Sequence, residues 1–146
     1  MISKLLKKNE KGFTLMEMLI VVAIIAVLVA IAIPTFKSSL DKAKIATDTA
    51  NIRSGYASAM MTIMQAELNG TPVTENTEYI LQADGTVKVS TETTNANPYK
   101  CQATVTTATS VGGVSVGTDG KWAAGNTISY TVGSNGNITI TAKTST

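Results

Sequence analysis

The hydrophobic pattern divides the chain into segments of different character. Residues 13–36 (FTLMEMLIVVAIIAVLVAIAIPTF) are apolar except for Thr14, Glu17 and Thr35, and no polar side chain falls between Met18 and Ile33. A surface helix of a soluble domain keeps one polar face, and this run has none. As a helix rising about 1.5 Å per residue it spans about 36 Å, enough for a hydrocarbon core of about 30 Å. Residues 37–70 keep a helical period with polar positions interleaved. Ile45, Ile52, Tyr56, Ala59, Met60 and Ile63 share one arc at about 100° per residue, and Leu40, Ala43, Ala50, Ala57, Met61, Met64 and Leu68 lie opposite, with charged residues on the flanks. Two apolar faces require two burial partners. Gly55 weakens the helix by about 1 kcal/mol, yet the pattern continues through it. Gly70 with Thr71-Pro72 is a stop signal, so the spacing predicts one helix over Phe13–Asn69.

Beyond Gly70 the period shortens. Tyr79–Leu81, Thr86–Val89, Ala103–Thr107, Val114–Val116, Thr127–Val132 and Ile138–Thr141 have strand character, separated by Asp84-Gly85, Asp119-Gly120 and Gly133-Ser134-Asn135-Gly136 turns. Ile128, Tyr130 and Val132 alternate with Thr127, Ser129 and Thr131, which predicts an antiparallel sheet with an apolar and a hydroxyl face. Half of residues 71–146 are Thr, Gly, Ser or Asn, so large apolar side chains are few. The head therefore needs the arc from Ile45 to Ile63 to complete its core. The expected class is α+β: one long N-terminal helix and a C-terminal antiparallel β head.

Charge adds a fourth segment. Residues 1–12 carry Lys4, Lys7, Lys8 and Lys11 against Glu10, a local +3. Eight of the chain's twelve basic and nine of its ten acidic residues lie beyond Gly12, leaving −1 there. A basic tail ahead of an apolar run is placed in the cytoplasm by the positive-inside rule. The expected organisation is a basic leader at 1–12, a membrane or filament-core helix at 13–36, its amphipathic continuation at 37–70 and the β head at 71–146.

Little points to catalysis. The chain has no histidine, which excludes Ser-His and Cys-His nucleophile pairs and histidine metal sites, and its one cysteine, Cys101, excludes an intrachain disulfide. Glu75, Glu78, Asp84, Glu92 and Asp119 are scattered without a calcium-loop pattern. The head has no basic footprint for nucleic acid. Tyr99, Trp122 and Cys101 read as packing residues. No catalytic residue, metal ligand or cofactor is predicted, and the expectation is a protein that is not an enzyme. The exception to this blandness is Glu17: a carboxylate inside an apolar membrane helix costs about 2.5–3.5 kcal/mol and marks a functional position, the alternative being a side chain that snorkels to the headgroups and needs no partner.

The stretch Lys11-Gly12-Phe13-Thr14-Leu15-Met16-Glu17-Met18, with the basic leader before it and Pro34 within the apolar run, resembles the N-terminus of a type IV prepilin. The resemblance covers residues 4 to about 40. It implies cleavage between Gly12 and Phe13 by a membrane-embedded prepilin peptidase and methylation of the new Phe13 amine. It further implies that Glu17 neutralises that amine on a neighbouring subunit. It implies assembly as a helical homopolymer, with an assembly platform and minor pilins as further partners. The precursor would be a single-pass protein of the cytoplasmic membrane, and the product a pilus at the cell surface or across the envelope. Adhesion, motility, DNA uptake or secretion would use the same core, so a secretion or competence pseudopilin is the alternative. Major pseudopilins often carry a calcium site, which leaves a head-loop ion open. Pro34 removes one helical hydrogen bond, giving either a curved helix or the unwound segment found in assembled pilins. Many relatives have glycine eight residues earlier, where this chain has Ala26. The second apolar face meets either other subunits or loops of its own head. A different class of reading is a secreted binding module, cut after the Ala30-x-Ala32 site to begin at Ile33.

Overall fold

The computed structural model describes residues 12–91 and 96–144. They form one helix, α1 (Leu15–Leu68), and six strands: β1 (Glu78–Leu81), β2 (Val87–Val89), β3 (Ser110–Val111), β4 (Val114–Ser115), β5 (Asn126–Val132) and β6 (Ile138–Thr144). The chain divides into two compact units within the helix, one ending at Ser39 and the other running over Leu40–Thr146.

In the first unit α1 runs unbroken through Pro34, so no unwound segment interrupts it. The Thr35 hydroxyl donates to the Ile31 carbonyl at 3.2 Å, and Ser39 repeats this to Thr35 at 3.2 Å. At its other end, in the second unit, the helix stops where the glycine predicts. Gly70 adopts φ 72°, its N–H donates to Glu67 O at 3.1 Å, and Thr71 N–H donates to Ala66 O at 2.9 Å. This pair satisfies carbonyls that the end of a helix leaves without partners.

The second unit is built on a four-stranded antiparallel sheet in the order β2-β1-β5-β6. Asp84-Gly85 turns β1 into β2, with Gln82 N–H donating to Thr86 O at 2.8 Å, and the Gly133–Gly136 turn joins β5 to β6. Register places Tyr79 opposite Tyr130, Tyr130 opposite Ile140 and Val132 opposite Ile138, so their side chains share a face. Helix residues Ile52, Ala59 and Ile63 join them in the core, with Ile45 and Tyr56 packed at its edge. Met60, expected in that arc, lies at its rim, 37% exposed. Thr127, Ser129, Thr131, Thr139 and Thr141 take the alternate positions, forming the hydroxyl face.

Two glycine and loop features depart from the sequence reading. Gly55 faces the sheet: a β-carbon there would lie 2.6 Å from Leu81 Cδ1 and against the Tyr130 ring and hydroxyl. Its absence lets Tyr130 donate its hydroxyl to the Ile52 carbonyl at 2.7 Å. Ala103–Thr107 is not a strand. It makes one isolated antiparallel bridge, Val105 to Trp122, and the excursion closes at Thr109 N–H to Gly120 O (2.8 Å), with the short β3–β4 hairpin at its tip. The start of that segment spends its backbone donors elsewhere, on the side chain of Asp48.

Candidate functional site

Gly12, Phe13 and Thr14 precede the first helical residue, Leu15. Thr14 is the N-cap. Glu17 N–H donates to the Thr14 hydroxyl oxygen at 3.2 Å, while Glu17 Oε2 accepts the Thr14 N–H at 2.8 Å and its hydroxyl at 3.0 Å. This is a reciprocal capping box, Thr-x-x-Glu, which satisfies backbone donors that a helix start leaves open. The spacing Thr14-Leu15-Met16-Glu17 carries that signal, and it gives Glu17 a partner within its own chain. Glu17 Oε1 accepts no hydrogen bond among the described residues. Phe13 is 79% exposed, and open space surrounds the position a β-carbon would take on Gly12. The lysines of residues 1–11 lie outside the described residues.

Behind this start the apolar helix has no cover. Leu15, Ile20, Val27, Ile31 and Phe36 are 48–83% exposed, and the stretch is long and apolar enough to cross a membrane while none of it is buried in the chain. Contiguous apolar surface of this extent marks contact with lipid or other chains. In the second unit, Leu40, Met61, Met64 and Leu68 are also exposed, at 44–85%, so the described head loops do not cover the second helix face.

The flank expectation fails at Asp48. This residue sits in the middle of the buried arc, between Ile45 and Ile52, and is fully buried. Its Oδ1 accepts the Tyr99 hydroxyl at 2.7 Å and the Gln102 N–H at 2.9 Å; Oδ2 accepts the Ala103 N–H at 2.9 Å, the Trp122 indole N–H at 3.2 Å and the shared Gln102 N–H at 3.0 Å. A buried carboxylate is tolerable when donors surround it, and here four do. Asp48 thereby ties the 99–103 loop and the Trp122 arm to the helix. Burial, then the bond to Asp48, pushes the Tyr99 phenol up, which keeps it a donor. Burial, with the Asp48 charge second, pushes the Cys101 thiol up to about 12. Tyr99, Cys101 and Trp122 are buried as expected, but two of them bond a carboxylate rather than merely fill space. Among the described residues no three acidic or cysteine side chains group as metal ligands.

An α+β chain whose helix is bare and apolar in one unit and packed on an antiparallel sheet in the other has pilin-like architecture. The pattern that defines the prokaryotic N-terminal methylation motif matches residues 7–33. The chain is 30% identical over 114 residues to the type IV major fimbrial protein FimA of Dichelobacter nodosus, covering 70% of each chain. It is 48% identical over 54 residues to the type IV narrow pilus major component PilA5 of Thermus thermophilus, covering 35% of this chain and 47% of that one. No solved structure matches. The chain belongs to the type IV pilin family.

Proposed function

We propose that this chain is a major subunit of a type IV pilus, made as a membrane-anchored precursor, cut between Gly12 and Phe13 by a prepilin peptidase, methylated on the Phe13 amine and polymerised through its apolar helix. The observation that carries this reading is the bare helix: an apolar span with no cover of its own needs lipid before assembly and other copies after it. The major pilus components among its relatives favour a pilus over a pseudopilin. Gly12 has free space around it, so the fold does not require a glycine there; close backbone approach by a peptidase does. Cleavage at this bond removes the leader lysines and retains the anchor.

Glu17 then has two duties. Its Oε2 caps its own helix through Thr14, and Oε1 remains available to the positive Phe13 amine of a neighbour. Each charge is costly in an apolar surrounding, and pairing offsets much of that cost. The chain's role is structural. Its other partners are the assembly platform and minor pilins, and it passes from the cytoplasmic membrane to the cell surface.

The deciding measurement is the N-terminus of the mature protein by mass spectrometry. Phe13, with an added methyl group, supports the reading; Ile33 replaces it with ordinary secretion. Glu17→Ala should leave the protein cleaved and membrane-inserted but strongly deplete it from sheared filaments. Wild-type filament levels from that variant would remove Glu17 from assembly.

A further inference from the structure

A groove of about 480 Å³ lies in the head between the end of α1 and the β5–β6 turn. Met60, Met64 and Val73 line it, and Glu67 and Glu75 carry its charge. Both glutamates are exposed, and neither has an ion-pair partner among the described residues. At the other end of the same unit, Leu40 is 44% exposed and Lys44 lies one helical turn further on, on the same side of the helix. Lys42 and Lys44 also lack an ion-pair partner among the described residues.

We infer that the groove of one head takes the Leu40–Lys44 turn of a second copy of this chain. The inference rests on the filament reading above and names a contact that reading leaves open. Charge is complementary on the docking face: two glutamates on the groove and Lys44 on the turn, while Lys42 lies on the far side of that helix and Asp41 on its flank. Register supplies an independent match. Setting Leu40 against Met64 requires a shift of 24 residues along the helix, and setting Lys44 against Glu67 requires 23, so both pairs form together in one parallel alignment. The shift is about 35 Å at 1.5 Å per residue. That distance also prevents Lys44 from reaching the groove of its own chain, so the contact forms only between copies. The surfaces differ and do not close on themselves, which makes the interface open-ended, as a filament requires.

The test is a chain carrying Lys44→Cys and Glu67→Cys, assembled, sheared from cells and mildly oxidised. The two positions are too far apart to form a disulfide within one copy, and Cys101 is buried. The expected result is a ladder of disulfide-linked multimers on a non-reducing gel, with no ladder from either single variant. Filaments without a ladder overturn the contact. If the double-cysteine chain makes no filaments, charge exchange decides. Lys44→Glu or Glu67→Lys alone should lower the polymerised fraction about fivefold, and Lys44→Glu with Glu67→Lys should restore it. A double exchange no better than the singles overturns the contact. A wild-type chain that forms no filaments under the same conditions removes the filament reading, and this contact with it.

Discussion

Replacing Asp48 separates the need for an acceptor from the need for a charge. In Asp48→Asn the amide nitrogen can take the place of Oδ1. The Tyr99 hydroxyl, which accepts as well as donates, can reverse its bond, and the Gln102 N–H retains Oδ2 at 3.0 Å. Ala103 and Trp122 keep their acceptor. The Gln102, Ala103 and Trp122 donors keep an acceptor, but the amide nitrogen stands 2.9 Å from the Gln102 nitrogen, donor against donor. The loss is therefore the extra strength of bonds to an ion plus that mismatch, about 2 kcal/mol in total. Asp48→Ala leaves four donors without their acceptor. At the lower end of about 1–3 kcal/mol for each unmade buried bond, the cost is about 4 kcal/mol, a large share of a typical domain's stability of about 5–15 kcal/mol. The full chain in mild detergent, melted while Trp122 fluorescence and near-ultraviolet circular dichroism are followed, reports the site directly. Asp48→Asn should lower the head's Tm by about 5–15 °C, and Asp48→Ala should melt far below it or fail to fold. An alanine variant within about 1 kcal/mol of wild type, or equal to the asparagine variant, would refute the acceptor argument.

Gly55→Ala should destabilise the head by about 1–3 kcal/mol although alanine is the better helix former, because the added carbon strikes Tyr130 and Leu81; in a Tyr130→Phe background the penalty should shrink, and additive losses in that double-mutant cycle would argue against the clash. Burial pushes the Glu78 carboxyl up, but the Lys143 ammonium, helped by the Ser129 hydroxyl, outweighs this and holds it below its ordinary value of 4.5. A carboxyl lowered on folding stabilises the native state above its unfolded pKa and ceases to do so as pH falls through its folded one. Urea melts should therefore show stability declining with acid below about pH 4.5, and Lys143→Ala should flatten that decline. Cys101, buried and with its thiol pushed up to about 12, should resist iodoacetamide at pH 8 until the head unfolds, then react fully by mass spectrometry.

The elements most legible in the sequence are those whose pattern is set by local period. The helix stop at Gly70 and the alternation along β5 depend on neighbours in the chain, and the structure places both where the pattern does. Asp48 departs from the flank expectation because helical spacing gives a residue's direction but not its surroundings. It stood on the apolar arc, where a charge is anomalous, and the donors that make it tolerable come from residues 99–122, more than fifty positions away. The same long-range demand explains Ala103–Thr107, whose β propensity is overridden when the adjoining amides are claimed by a carboxylate. Gly55 likewise read as a weak point in a helix; its purpose depends on a tyrosine in a strand that only the fold brings close. The Thr14–Glu17 box, by contrast, is fully local: the Thr-x-x-Glu spacing carries it without any long-range contact.

That box also separates processing from folding. The bond proposed for cleavage lies before Thr14, in irregular backbone, and both Thr14 and Glu17 remain on the product. A peptidase can therefore cut without unwinding any of α1, and the helix needs no new cap afterwards. Under the proposed cleavage, precursor and product would share one helix start: the cut would change the charge at the end of the chain and leave the helix register as it was.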